Sequence, residues 1–249
     1  MGQAFIGKAK IFLALYSAGA TFAARPFRYL ENTSRFEISF SEEEKKLLDS
    51  SSASGGIDAS VKRISDATGA MDLRHFTPDN LALALWGTTA AVTATPIVAE
   101  GGKKIVPNKF VPTDRLINTS VAPVVKKGAT VIDTDDYTVS PGGILIAAAI
   151  TTATVISGDA ITIDYTPQLG DQVQALIGSA PQVSIFGEGV NEVDGKYTAF
   201  RIWKAKLGAA QGVSFIGEDF GTLSVSITIE KDETVTGGKS QYYEIEAAA

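Results

Sequence analysis

The chain has 249 residues, 45% of them apolar and 20% charged, enough to build one large domain or two modest ones around a sizeable core. It has no Cys and a single His, which excludes disulfide scaffolds, zinc ribbons, thiol catalysis and any mechanism needing two imidazoles. A net charge of -6 argues against a general nucleic-acid binder, whose surface is basic.

No apolar stretch reaches about 18 residues, so no membrane span is expected. Residues 8–17 place Lys8 and Lys10 ahead of an apolar run from Ile11 to Tyr16. The run imitates a secretory signal but falls short of the usual ~7–15 apolar residues. Its β-formers predict a first strand instead, with a turn at Gly19. Residues 35–40 alternate, with Phe36, Ile38 and Phe40 on one face and Glu37 and Ser39 on the other, the pattern of a half-buried strand.

Residues 41–56 then read as a long exposed excursion between two strands. It starts Ser41, Glu42, Glu43, Glu44, Lys45, Lys46, Leu47, Leu48 and ends in a Ser/Gly-rich stretch. Its first half has the spacing for one or two helical turns, with Glu42 and Lys46 paired at i, i+4. A strand is expected at 57–64. Thr77 as cap, Pro78 at the first helical position and Asp79 in the first turn predict a short helix. Leu81, Ala82, Leu85 and Trp86 share one face, and Gly87 is the expected stop. Leu83 and Ala84 are apolar as well, so the helix is either sunk in its own domain or covered on a second side by a neighbouring chain.

Gly101, Gly102 and Pro107 predict a loop over 101–108. From Pro96 to about Pro167 the composition turns to Val, Ile, Thr and Ala, with turn signals at 126–128, 140–143 and 157–159. Strands at 121–125, 137–139, 144–149 and 159–165 would make a compact inserted β-sandwich over 96–169. Further strands are expected at 182–186, 197–205, 223–229 and 240–246. The third of these alternates most sharply: Leu223, Val225, Ile227 and Ile229 face one way, Ser224, Ser226 and Thr228 the other. The hydroxyl-rich faces imply antiparallel sheets with one wet side, so the fold class is mainly β.

No catalytic, metal or cofactor constellation emerges. Gly187, Gly189 and Gly195 imitate a phosphate loop, but five residues separate the last two where four are required, and Tyr197 stands where Ser or Thr must bind magnesium. A hairpin turning at Asp194-Gly195 accounts for them. Asp133, Asp135 and Asp136 lack the glycine and the final glutamate of a calcium loop, and read as a solvated turn. His75 has no Gly-x-Ser-x-Gly partner and is expected to make a structural hydrogen bond. The basic residues, Arg25, Arg28, Arg35, Lys62, Arg63, Lys103, Lys104, Lys126 and Lys127, form scattered pairs rather than a stripe, which suits a solvated surface or subunit salt bridges.

The order of elements resembles the major tail tube proteins of tailed bacteriophages. The opening strand at 8–16, the strand with its protruding excursion at 27–56, the strand and helix at 61–87, and the closing strands at 184–203 and 219–229 carry the likeness. It covers 1–95 and 170–249. The resemblance implies a tail-tube-type β-sandwich or barrel with one flanking short α-helix, interrupted at 96–169 by an immunoglobulin-like β-sandwich. It implies no enzyme activity and no cofactor. Hexameric rings would stack into a virion tail tube, made in the host bacterial cytoplasm and joined to other phage tail proteins. Phage DNA would pass through its lumen without specific binding. Ser41, Glu42, Glu43, Glu44, Lys45, Lys46, Leu47 and Leu48 would then order against the next ring. Leu81, Leu83, Leu85 and Trp86 would meet a neighbouring subunit, and Glu37, Ser39, Ser224, Ser226 and Thr228 would face the lumen. The rival readings are a type VI secretion-like tube subunit, an exported adhesin-like β protein using the N-terminal run as a signal, and an enzyme on a β scaffold.

Overall fold

The computed structural model describes residues 7–48, 50, 56–217 and 219–248; the middle of the expected excursion, at 49 and 51–55, lies outside the described residues. The chain is mainly β. Its strands are β1 (Gly7–Leu15), β2 (Arg28–Tyr29), β3 (Thr33–Leu48) and β4 (Ile57–Leu73), then helix α1 (Pro78–Ala84), then β5 (Thr88–Val92), β6 (Ile97–Lys104), β7 (Phe110–Pro112), β8 (Val124–Lys127) and β9 (Thr130–Val131). They continue with β10 (Tyr137–Ser140), β11 (Gly143–Ile146), β12 (Ala160–Tyr165), β13 (Gly170–Gln174), β14 (Gln182–Asn191), β15 (Tyr197–Leu207), β16 (Leu223–Ile229) and β17 (Tyr243–Ala247). The chain divides into two compact units, Met1–Thr89 with Val173–Ala249, and Ala90–Gln172. The two crossings between them, β5 and β13, pair with each other.

The first unit is built on one sheet in the order β2-β1-β14-β15-β16-β4-β3, antiparallel throughout. The edge of β15 is shared: β16 pairs with Ala205–Leu207 and β17 with Thr198–Ile202. The sheet therefore forks and folds over on itself. Phe36 of β3 stacks on Phe200 of β15 at 4.9 Å, and Phe40 stacks on Tyr243 of β17 at 5.5 Å. Between the layers lie Ile11 and Leu13 of β1, Val183 and Ile185 of β14, and Met71, Val225 and Ile227, all buried. Gly187 permits the Phe200 ring to lie across β14, because a Cβ built there would fall 2.1 Å from the ring. Gly195, at φ +72°, closes the β14–β15 hairpin. The glycines that imitate a phosphate loop are thus spent on packing and on a turn.

Helix α1 starts as the sequence predicts: the Thr77 hydroxyl accepts from the Asn80 amide at 3.3 Å, and Pro78 takes the first position. It ends earlier than Gly87. Leu85 caps it and Trp86 adopts a left-handed φ of 49°, a conformation uncommon for a bulky residue. The Trp86 indole donates to the Leu207 carbonyl at 3.1 Å, a bond that holds this geometry.

The second unit packs a three-stranded sheet, β10-β11-β7, and a four-stranded sheet, β6-β12-β8-β9, around one core that includes Ile105, Val111, Val125, Ile144 and Ile163. Two expectations shift here. Residues 101–104 belong to β6 rather than to a loop, and Lys103 stands opposite Ile161. The ladder accommodates Gly102, at φ +76°, through a change of register. β8 begins at Val124 instead of 121, because Pro123 has no N–H to give a ladder.

Candidate functional site

The largest departure from the sequence reading is residues 41–48. They are strand, not loop. β3 and β4 stay paired out to Leu48 opposite Ile57, whereas β16 stops at Thr68. Beyond that point 41–48 and 57–66 form a two-stranded ribbon that no other strand among the described residues flanks, every residue of it exposed. At about 3.3 Å per residue, eight residues reach about 26 Å. The expected Glu42–Lys46 helical pair does not form. A strand has period two, so the ion pairs link i and i+2: Glu43 with Lys45 at 3.9 Å and Glu44 with Lys46 at 3.3 Å. Across the ribbon Glu43 stands opposite Arg63 and Glu44 opposite Lys62, opposite charges that favour this pairing. Leu47, Leu48, Ile57, Val61 and Ile64 are more than half exposed.

The five residues expected on a wet face do share one. Glu37 and Ser226 flank Ala70, Ser39 and Thr228 flank Thr68, and Ser224 flanks Asp72 on β4. Directly opposite residues of antiparallel strands point the same way, so these side chains form a polar surface over β3, β4 and β16. Arg35 belongs to it and pairs with Asp72 at 2.8 Å. Burial alone would raise the Asp72 carboxyl, but hydrogen bonds from Ser224 and Arg35 outweigh it and hold Asp72 below the usual carboxylate value. The surface is hydroxyl-rich and of mixed charge.

Leu81, Leu83, Leu85 and Trp86 are all half-buried within the first unit, and Leu81 and Leu83 pack on its core. The helix buries Asn80 and Ala84 most deeply. Asn80 donates to the carbonyls of His75 and Leu30 and accepts from Arg28 at 2.7 Å.

Two charged sites sit where the sequence suggests solvated residues. Arg25 is buried. Its guanidinium donates to Ser184 Oγ at 2.7 Å and to the carbonyls of Trp203 and Ala20, lies 4.5 Å over the Tyr16 ring, and faces Asp232 at 3.6 Å. Asp232 accepts from Tyr16 at 3.1 Å and from the Thr234 hydroxyl and amide. Only chain folding brings together residues more than two hundred positions apart, so no local signal marks this network. Asp136 is likewise fully buried rather than in a solvated turn. Its carboxylate accepts from the amides and hydroxyls of both Thr151 and Thr152. Burial opposes ionisation, yet these four bonds prevail and bring the carboxyl to about 2. The Thr-Thr pair is the sequence signal that marks the site.

His75 makes the structural bond expected of it, through Nδ1 to Glu31 Oε2 on an exposed surface. The basic pairs find acids: Lys103 meets Glu100 at 2.7 Å, and Lys126 and Lys127 meet Asp164 and Asp159. Among the described residues, no group of three or more Asp, Glu and His side chains is arranged to hold a metal ion. No helix among them is long and apolar enough to cross a membrane.

These features define a mainly β protein of two units, the first of which carries a long, wholly exposed β-ribbon. The chain belongs to the family described as "Protein of unknown function UCP028589", whose profile matches residues 4–246. No curated protein matches it.

Proposed function

We propose that this chain is a phage tail tube protein, whose hexameric rings stack into a conduit for DNA. One observation carries the reading: the ribbon of β3 and β4 leaves its sheet for about 26 Å with apolar side chains exposed and, among the described residues, no further strand beside it. A monomer keeps such an edge only at the risk of aggregation, and regular association is the way to cover it. β3 is also the terminal strand of the sheet, so a neighbour's strand can extend the sheet around a ring. The hydroxyl-rich surface bearing Glu37, Ser39, Ser224, Ser226 and Thr228 suits a lumen wall, since it offers phosphate few free cations to hold. Leu81, Leu83, Leu85 and Trp86 keep enough exposure to meet a neighbouring subunit. In this reading the second unit, with two antiparallel sheets on one core, is an immunoglobulin-like decoration.

Negative-stain electron microscopy of the purified protein tests the proposal. Rings or tubes are expected; a folded protein that stays monomeric at every concentration and salt overturns it. Replacing 42–64 with a tight turn removes the ribbon without touching the core. That variant should fold and form rings but not stack them.

A further inference from the structure

The polar surface of the first unit reaches farther than β3, β4 and β16. Ser39 stands opposite Thr68, Thr68 opposite Thr228, Thr228 opposite Lys206, and Lys206 opposite Gln182, so one row of side chains crosses five strands on the same face. Just past the end of β16 the alternation continues: Ile229 is buried, and Glu230 turns outward to Lys204 and Lys206. Among the described residues this band carries three cations, Arg35, Lys204 and Lys206, and each meets a carboxylate. The Arg35 guanidinium takes both Asp72 oxygens, at 2.8 and 3.3 Å, and reaches Glu37 at 3.5 Å. Lys206 meets one oxygen of Glu230 at 2.8 Å, and Lys204 meets the other at 3.1 Å. Arg74, one residue past β4, acts on the same Asp72.

The two acids are aimed as well as paired. Ser224 hydrogen-bonds Asp72, and the Gln182 amide donates to Glu230 at 3.3 Å. At Glu230 the bonds from Lys206 and Lys204 outweigh burial and hold the carboxyl below its usual value, as happens at Asp72, so both acids are ionised at neutral pH. The Asp72 and Glu230 side chains are 16% and 24% exposed, against 48% and 47% for Arg35 and Lys206. Each acid therefore lies deeper in the surface than the cation that reaches over it. Pairs this close to solvent add little stability. Their larger effect is on binding, because a cation already bonded to a carboxylate must give up that partner before it can hold a phosphate.

We infer that Asp72 and Glu230 are charge-masking residues that keep Arg35, Lys204 and Lys206 from holding the phosphates of a DNA backbone, an inference that rests on the tube reading above. The pairs leave the face polar and hydrated without making it adhesive, which is what a wall that DNA slides past requires. Removing the two acids exposes a cationic band in their place.

The test is binding of a fluorescein-labelled DNA duplex, read by anisotropy at low and at physiological salt. The wild type should bind weakly. D72N/E230Q, which keeps the shape of both side chains, should keep the wild-type circular dichroism and bind at low salt at least about tenfold more tightly. Its affinity should fall with salt by about 0.9 log units per log unit of salt for each phosphate held, and so by up to about 2.7 if all three freed cations engage. Adding R35M/K204M/K206M should abolish the gain. D135N/D171N raises the net charge by the same amount on the second unit and should bind as the wild type does. If the double variant does not keep its circular dichroism, E230Q alone frees two lysines and takes its place. A folded variant that binds no more tightly than wild type or than D135N/D171N overturns the masking, and micrographs of wild-type rings would leave the tube reading standing. A gain in affinity from a wild type that forms no rings supports the masking and sinks the tube.

Discussion

Substituting Asp232 with Asn should expose how far the first unit depends on its buried ion pair. The exchange preserves shape but removes the charge that faces Arg25, whose side chain is 2% exposed against 1% for Asp232. The Arg25 guanidinium would then stand in the interior with no carboxylate facing it, held only by Ser184, carbonyl oxygens and the Tyr16 ring. Breaking a buried pair from one side costs about 3–5 kcal/mol. At about 2–4 °C per kcal/mol for a body of this size, the midpoint should fall by roughly 6–20 °C. Tryptophan fluorescence is a selective probe, because both Trp86 and Trp203 lie in the first unit and the second has none. Removing both partners, as R25M/D232L, should cost less than the single change, since no orphan charge remains. The acid limb carries the same information. Burial alone would raise the Asp232 carboxyl, but Thr234, Tyr16 and Arg25 hold it below its ordinary value. Its stabilisation is therefore present above the unfolded value, about 3.9, and is lost as pH falls through the folded one. D232N should show a shallower loss of stability on acidification. A D232N midpoint within about 1 kcal/mol of wild type, with an unchanged acid limb, would refute the argument.

In the second unit, Asp136→Asn should cost about 1–3 kcal/mol, since an amide cannot accept all four bonds from Thr151 and Thr152; faster amide exchange at those two residues, measured by NMR, is the direct readout. The wild-type Asp136 contribution should be complete above about pH 4 and disappear as pH falls toward the folded value of about 2, which calorimetry of the second unit's unfolding can follow. Gly187→Ala should drive the Phe200 ring from its stack on Phe36 and cost about 1–3 kcal/mol by overpacking, read by the same fluorescence melt.

The strands with clean alternation were legible. Residues 223–229 form β16 with the expected faces, because one side of that strand meets the core and the other meets water. The helix start was legible through Thr77 and Pro78, which act within one turn of chain. Residues 41–48 were not, because three glutamates and two lysines in a row carry no strand signal. They are strand only because Arg63, Lys62 and the apolar residues of β4 lie opposite, and pairing across a hairpin is invisible to a local window. Arg25 fails for the same reason at longer range. Its composition says surface, and its burial follows from Asp232, Ser184 and Trp203 arriving from elsewhere in the chain.

The ribbon's charges also bear on why a bare edge is tolerated. A slip of one residue in a β-pair turns every side chain of that strand to the other face. In the present register Glu43 meets Arg63 and Glu44 meets Lys62. A one-residue slip would set Arg63 opposite Glu42 and Lys62 opposite Glu43, or Arg63 opposite Glu44 and Lys62 opposite Lys45, so the charges favour this antiparallel pairing without by themselves fixing its register. The same charges discourage indiscriminate edge-to-edge association, since any foreign strand must accommodate three successive acids followed by two bases. The apolar groups Leu47, Leu48 and Ile57 lie beyond the charged stretch, at the end farthest from the core. Charge therefore bears on solubility along this stretch, while the apolar groups that any association would cover lie both at its far end and, as Val61 and Ile64, among the charges themselves.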